Sequence, residues 1–160
     1  MRVEKCACLG PGEFHLPTRR TGPNYVSKGE AQIWNFEMAR IGDEAVIRTV
    51  SSGDTVRYGA PELIETYGTL PTMESDTYSF TLMVLECVTE ERPFFHLERD
   101  AAVVHARIAK RQLPPRPPKQ GQKEPISDEL WNLMTDCWNP VPKNRPTMEV
   151  VQKFFVGYQG

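Results

Sequence analysis

Four cysteines and three histidines carry the most recognisable chemistry in this chain, and their spacing speaks against metal or disulfide use. Cys6, Cys8, Cys87 and Cys137 include no Cys-x-x-Cys pair and no histidine at ligand spacing, so neither a zinc site nor a disulfide framework is expected. His15, His96 and His105 are isolated and receive no role. Residues 98–123 hold seven basic and two acidic side chains, enough to attract an acidic partner, although solvated helix and loop charges account for them more simply. No aromatic residue for base stacking occurs in that stretch, so nucleic-acid binding is not expected. The remaining chemistry-bearing residues fall in short motifs in fixed order: Arg57-Tyr58-Gly59-Ala60-Pro61-Glu62, Ser75-Asp76-Thr77-Tyr78-Ser79-Phe80, Arg92-Pro93-Phe94, Cys137-Trp138 and Arg145-Pro146.

The elements that must position these motifs are mostly helical. With 160 residues, 39% hydrophobic and 25% charged, and a formal charge of -2, the composition is that of an ordinary globular domain. Residues 1–16 contain a Gly10-Pro11-Gly12 break and no apolar run long enough for a signal peptide or a membrane span, which leads to an intracellular, cytoplasmic expectation with free thiols. Tyr25-Val26-Ser27 and Ala31-Gln32-Ile33-Trp34, separated by Lys28-Gly29-Glu30, read as a small β-hairpin. Residues 36–55 show no clean period and read as an extended loop. Residues 75–89 are apolar in nearly every helical direction and predict a buried helix with Ser75 as its N-cap. Helical spacing predicts further helices over 100–110, 127–137 and 147–155, while the four prolines within 113–118 exclude a helix there. Trp131, Trp138, Phe154 and Phe155 are expected in the core.

Together the motifs resemble the C-terminal lobe of a protein kinase domain, of the tyrosine-kinase-like branch, over roughly 18–155. The resemblance implies a mainly α C-lobe with a small β-hairpin and no N-terminal lobe. Residues 1–16 stay unassigned, and residues 17–156 form the lobe. Within it, 17–24 is a catalytic-loop remnant, 35–62 an activation segment and 75–156 a helical subdomain. The resemblance pairs Glu62 with Arg145, places Asp76 at the start of the central helix against the catalytic-loop backbone, and makes Trp138 structural. Thr49, Ser51, Ser52 and Thr55 lie where phosphorylation orders the segment in active kinases, with Thr55 in a structural position.

The positions that should transfer phosphate hold other side chains. The metal-binding Asp-Phe-Gly aligns with Asn35-Phe36-Glu37, so Asn35 offers a neutral oxygen where a dication wants an anionic one. Glu37 stands where the family has a glycine. Asn24 resembles the asparagine that ligates a second magnesium, but the catalytic aspartate five residues before it is Arg19, which cannot accept a proton. No Gly-x-Gly-x-x-Gly pattern or Val-Ala-x-Lys strand appears in residues 1–16. The leading expectation is a truncated, inactive kinase-like protein that needs no ATP or magnesium. It would bind a protein partner, or itself, through an uncovered surface along residues 80–88, and would not bind nucleic acid or membrane. One alternative is an ATP- and magnesium-dependent protein kinase; another is an incomplete or degraded gene product, in which the first 16 residues need not be native.

Overall fold

Helix α3, Met73–Thr89, runs through the hydrophobic core. The computed structural model describes residues 5–6, 40–41, 53–66, 69–89, 91–117 and 126–158. No proline or glycine interrupts α3. Its start lies two residues before the expected Ser75 cap. Thr72 and Ser75 instead bond reciprocally: Ser75 N–H donates to Thr72 Oγ1 at 3.3 Å, and Thr72 N–H donates to Ser75 Oγ at 2.9 Å. Two otherwise orphaned donors at the helix start are thereby satisfied.

The buried face of α3 is less apolar than its composition predicts, because Ser75, Thr77, Tyr78, Ser79 and Thr81 lie under the surface with Leu82 and Leu85. The hydroxyls of Thr77, Ser79 and Thr81 return their protons to carbonyls one turn back, each at 3.0 Å. A buried hydroxyl satisfied in this way carries little penalty and lets neighbouring backbones approach closely. Of the stretch expected to stay uncovered, Leu82 and Leu85 are buried and Phe80 meets Phe155 edge-on at 6.3 Å, whereas Val88 is exposed.

Two further helices cover α3. Helix α5, Asp128–Cys137, is capped by Ser127, whose Oγ accepts from Leu130 N–H at 3.2 Å, and it buries Leu130, Met134 and Cys137. Helix α6, Met148–Gly157, is capped by Thr147 and buries Val151. Its last turn is tied back to α5, since Tyr158 stacks on Phe154 and its hydroxyl lies 2.8 Å from Ser127 Oγ. Trp138 is buried, with Trp131 edge-on at 5.7 Å, and Phe154 and Phe155 pack against the core, so all four predicted core aromatics join it.

On the other side lie α1, Gly53–Tyr58, α2, Pro61–Glu65, and α4, Asp100–Val104. The stretch read as a loop through Thr55 is thus already helical from Gly53. Helix α4 continues as one π-helical turn, His105–Ala109, and stops before the prolines. A two-residue antiparallel ladder pairs β1, Lys5–Cys6, with β2, Arg40–Ile41, where no strand was predicted. The hairpin expected within 25–34 lies outside the described residues. No helix among the described residues is long and apolar enough to cross a membrane.

Candidate functional site

Arg145 reaches its position because the 3-10 turn Pro142–Asn144 turns the chain under the start of α3. Its guanidinium meets Glu62 in a two-pronged pair, Nη1 to Oε1 at 2.7 Å and Nη2 to Oε2 at 2.8 Å. Nη1 also donates to the Glu74 carbonyl at 3.0 Å, and Nε to the Asn139 carbonyl at 2.9 Å. The Arg145 side chain has no exposed surface, and Glu62 retains 23%. All three guanidinium nitrogens are therefore hydrogen-bonded, the geometry in which a guanidinium is best held away from water. The pair joins α2 to the segment before α6.

A second guanidinium secures the end of the segment that contains α1. Arg57, 3% exposed, donates to the carbonyls of Pro93 and Phe94 at 3.3 Å, of Leu97 at 2.8 Å and of Glu98 at 3.1 Å. Its Nε faces Asp100 at 3.2 Å. The turn it fills needs Phe94 at a φ of 58°, which a residue with a side chain seldom adopts, so Arg57 compensates an unfavourable backbone.

Arg107 makes the reverse connection. From the π-helical turn it donates Nη1 to the Val56 carbonyl and Nη2 to the Gly59 carbonyl. It is 2% exposed, its Nε has no hydrogen-bond partner, and its charge faces the rings of Tyr78 and Phe94 at 5.4 and 5.8 Å. This corrects the reading of the 98–123 charges as uniformly solvated. Burial also places Tyr58 within reach of Glu86, whose Oε2 accepts from the phenol at 2.5 Å. These contacts fasten α1 to α4 and to α3.

The predicted site residues fall into two groups. Glu62, Arg145 and Trp138 lie together around α3, and Asp76 sits in its first turn. Arg19, Asn24, Asn35 and Glu37, together with Thr49, Ser51 and Ser52, lie outside the described residues, while Thr55 belongs to α1. The structural roles of Arg57, Arg107 and Glu86 escaped the sequence reading. Arg107 left one usable signal: with Val103 and Ala106 it shares the i, i+3, i+4 face that α4 buries.

This arrangement, helices on a buried central helix with a carboxylate–guanidinium pair bridging distant motifs, agrees with a match of residues 25–155 to the family model for protein tyrosine and serine/threonine kinases. The chain belongs to that family. It is 32% identical over 130 residues to stress-activated protein kinase alpha of Dictyostelium discoideum, covering 75% of this chain and 19% of that protein. It is 24% identical over 145 residues to human receptor-interacting serine/threonine-protein kinase 4, covering 89% of this chain and 17% of that protein. A probable serine/threonine-protein kinase of Dictyostelium discoideum, gdt4, is 27% identical over 120 residues, covering 71% of this chain and 7% of that protein. The kinase-family chain therefore spans less than a fifth of the length of these relatives.

Among the described residues no group of three or more His, Cys, Asp or Glu could hold a metal ion. The buried Cys137 thiol is pushed up to about 12, first by burial and then by the Asp136 charge, and burial also raises Cys87, so neither is a ready thiolate nucleophile. A shallow depression beside Leu85, Phe94 and Pro114 encloses only about 10 Å³, room for no more than a water molecule.

Proposed function

We propose that this chain is a kinase-fold protein that does not transfer phosphate and acts by binding other proteins. The observation that carries the proposal is the residue at the general-base position, Arg19, in Pro17-Thr18-Arg19. A permanently charged guanidinium cannot take the proton from a substrate hydroxyl, and no acid lies between Glu13 and Asn24 to replace it. Asn35 and Glu37 support the same reading, since the metal position carries no charge and the glycine that gives the segment its freedom is absent. Neither ATP nor magnesium is a cofactor under this proposal, and the protein works in the cytoplasm. The Glu62–Arg145 pair is consistent with a scaffold kept after catalysis is lost, because its contribution is to the fold alone.

A second reading is an ATP-dependent protein kinase acting on serine or threonine. It is favoured by the printed names of the relatives, each a protein kinase. The two readings part in a thermal melt with and without millimolar MgATP, run beside a phosphotransfer assay on a generic protein substrate. A ligand that binds only the native state raises the melting midpoint. The proposal expects an unchanged midpoint and no transferred phosphate. Phosphate transfer that disappears in Asn35→Ala and Asn24→Ala would establish the enzyme instead.

A further inference from the structure

Three of the seven large apolar side chains that the described residues expose surround one shallow face. Phe95 stands on its rim with 47% of its surface in solvent. Leu113 immediately precedes the lining residue Pro114, and Val88 follows the lining residue Leu85 by about one turn on the same side of α3. The depression between them admits no more than a water molecule, so the face holds no small ligand and suits contact with another protein surface.

Two charges of opposite sign stand side by side on the same rim. Glu91 and Arg92 both line the depression, both are exposed, and neither takes part in an ion pair among the described residues. The backbone that carries them is held in place. Thr89 Oγ1 accepts from the Glu91 N–H at 3.2 Å, Pro93 and Phe94 are buried, and the Leu97 N–H closes the following turn on the Phe94 carbonyl at 2.8 Å. His96 meets the Phe95 ring edge-on at 5.7 Å.

We propose that this face binds a second copy of the chain about a two-fold axis. In a two-fold contact the same patch serves both partners, so Glu91 of each copy meets Arg92 of the other and one adjacent pair of charges forms two ion pairs. A partner of single charge would match only one of the two residues, whereas an identical rim turned through 180° matches both. Phe95, Val88 and Leu113 supply the apolar centre. So small a face falls in the class below about 1,200 Å² of total buried surface, and the dimer is correspondingly weak, with a Kd between about 10 μM and 1 mM. The proposal deepens the interaction reading above by naming the partner as the chain itself. Phosphate transfer is compatible with such a dimer, so the phosphotransfer assay and the test given next fail separately.

Analytical ultracentrifugation of the full chain is expected to show a monomer–dimer equilibrium in that concentration range. Glu91→Arg and Arg92→Glu each set like charges against one another at both contacts, so each protein alone should dimerise at least about tenfold more weakly. Both should keep the thermal midpoint of the parent chain, because the two residues are exposed. Mixing the two variants restores opposite charges at both contacts and should restore the dimer. A chain that stays monomeric throughout the range overturns the proposal, as does a dimer that both reversals leave intact. Dimerisation lost in each variant and not repaired by mixing also overturns it, since the charges would then act within one chain and not between two.

Discussion

Tyr78 is in contact with two of the three buried guanidiniums, its ring centre 4.9 Å from Arg145 and 5.4 Å from Arg107. A ring face can partly replace water around a cation, and two carbonyls or a carboxylate complete each site. The two arginines nevertheless differ. Arg145 has a carboxylate partner, whereas Arg107 depends on neutral groups alone. Removing Glu62 therefore leaves a fully covered charge without its partner. Glu62→Ala is expected to lower stability by about 3–5 kcal/mol, while the pair of changes Glu62→Leu and Arg145→Met recovers much of the loss. Urea unfolding of the three proteins measures both effects, and an unchanged midpoint for Glu62→Ala would show that the pair contributes nothing. This pair was legible in the sequence because the motifs around it are specific. Arg107 was not, because a basic residue on a short helix reads as solvated until its neighbours on the same face are known.

Helix starts carry the next level of control. At the start of α3 the Glu74 carboxyl is held below its ordinary value near 4.5, first by a hydrogen bond from the Thr72 side chain and then by its own backbone N–H, with Arg145 and Lys143 adding smaller effects against desolvation. A carboxyl whose folded pKa is depressed contributes stability that is complete above its unfolded pKa and is lost as pH falls through the folded one. The stability difference between the protein and Glu74→Gln should thus be greatest near neutral pH and shrink below about pH 4.5, the direction that linkage requires. Chemical denaturation across pH 3–7 gives the comparison, and a difference that grows in acid would contradict the assignment. The elements themselves were mostly legible: α3, α5, α6 and the proline break follow from period and from proline chemistry. The strand pair was not, since two residues in each partner give no alternation to detect. Nor was the true cap of α3, because Thr72 and Ser75 are both good cap residues and only their reciprocal bonding decides between them.

At the scale of the molecule, α3 is packed against α1, α5 and the 3-10 turn, while α4 reaches it through α1 and through Arg107 over Tyr78. Contacts that join elements so distant in sequence cannot be lost one at a time without leaving buried polar groups unpaired. The helical part should therefore open as one unit, with local freedom confined to its edges. Hydrogen exchange provides the measurement. The amides of Leu82 and Leu85 in α3 and of Met134 and Cys137 in α5 lie in buried residues and are expected to share one opening free energy, equal to that of global unfolding. Val156, 84% exposed in the last turn of α6, should exchange far faster through fraying. Distinct opening energies for α3 and α5 would mean that the interface around Leu82 and Met134 is not the cooperative core. A single value would mean that a partner binding any face of this scaffold meets a surface already ordered, so its affinity does not have to offset the cost of folding the chain.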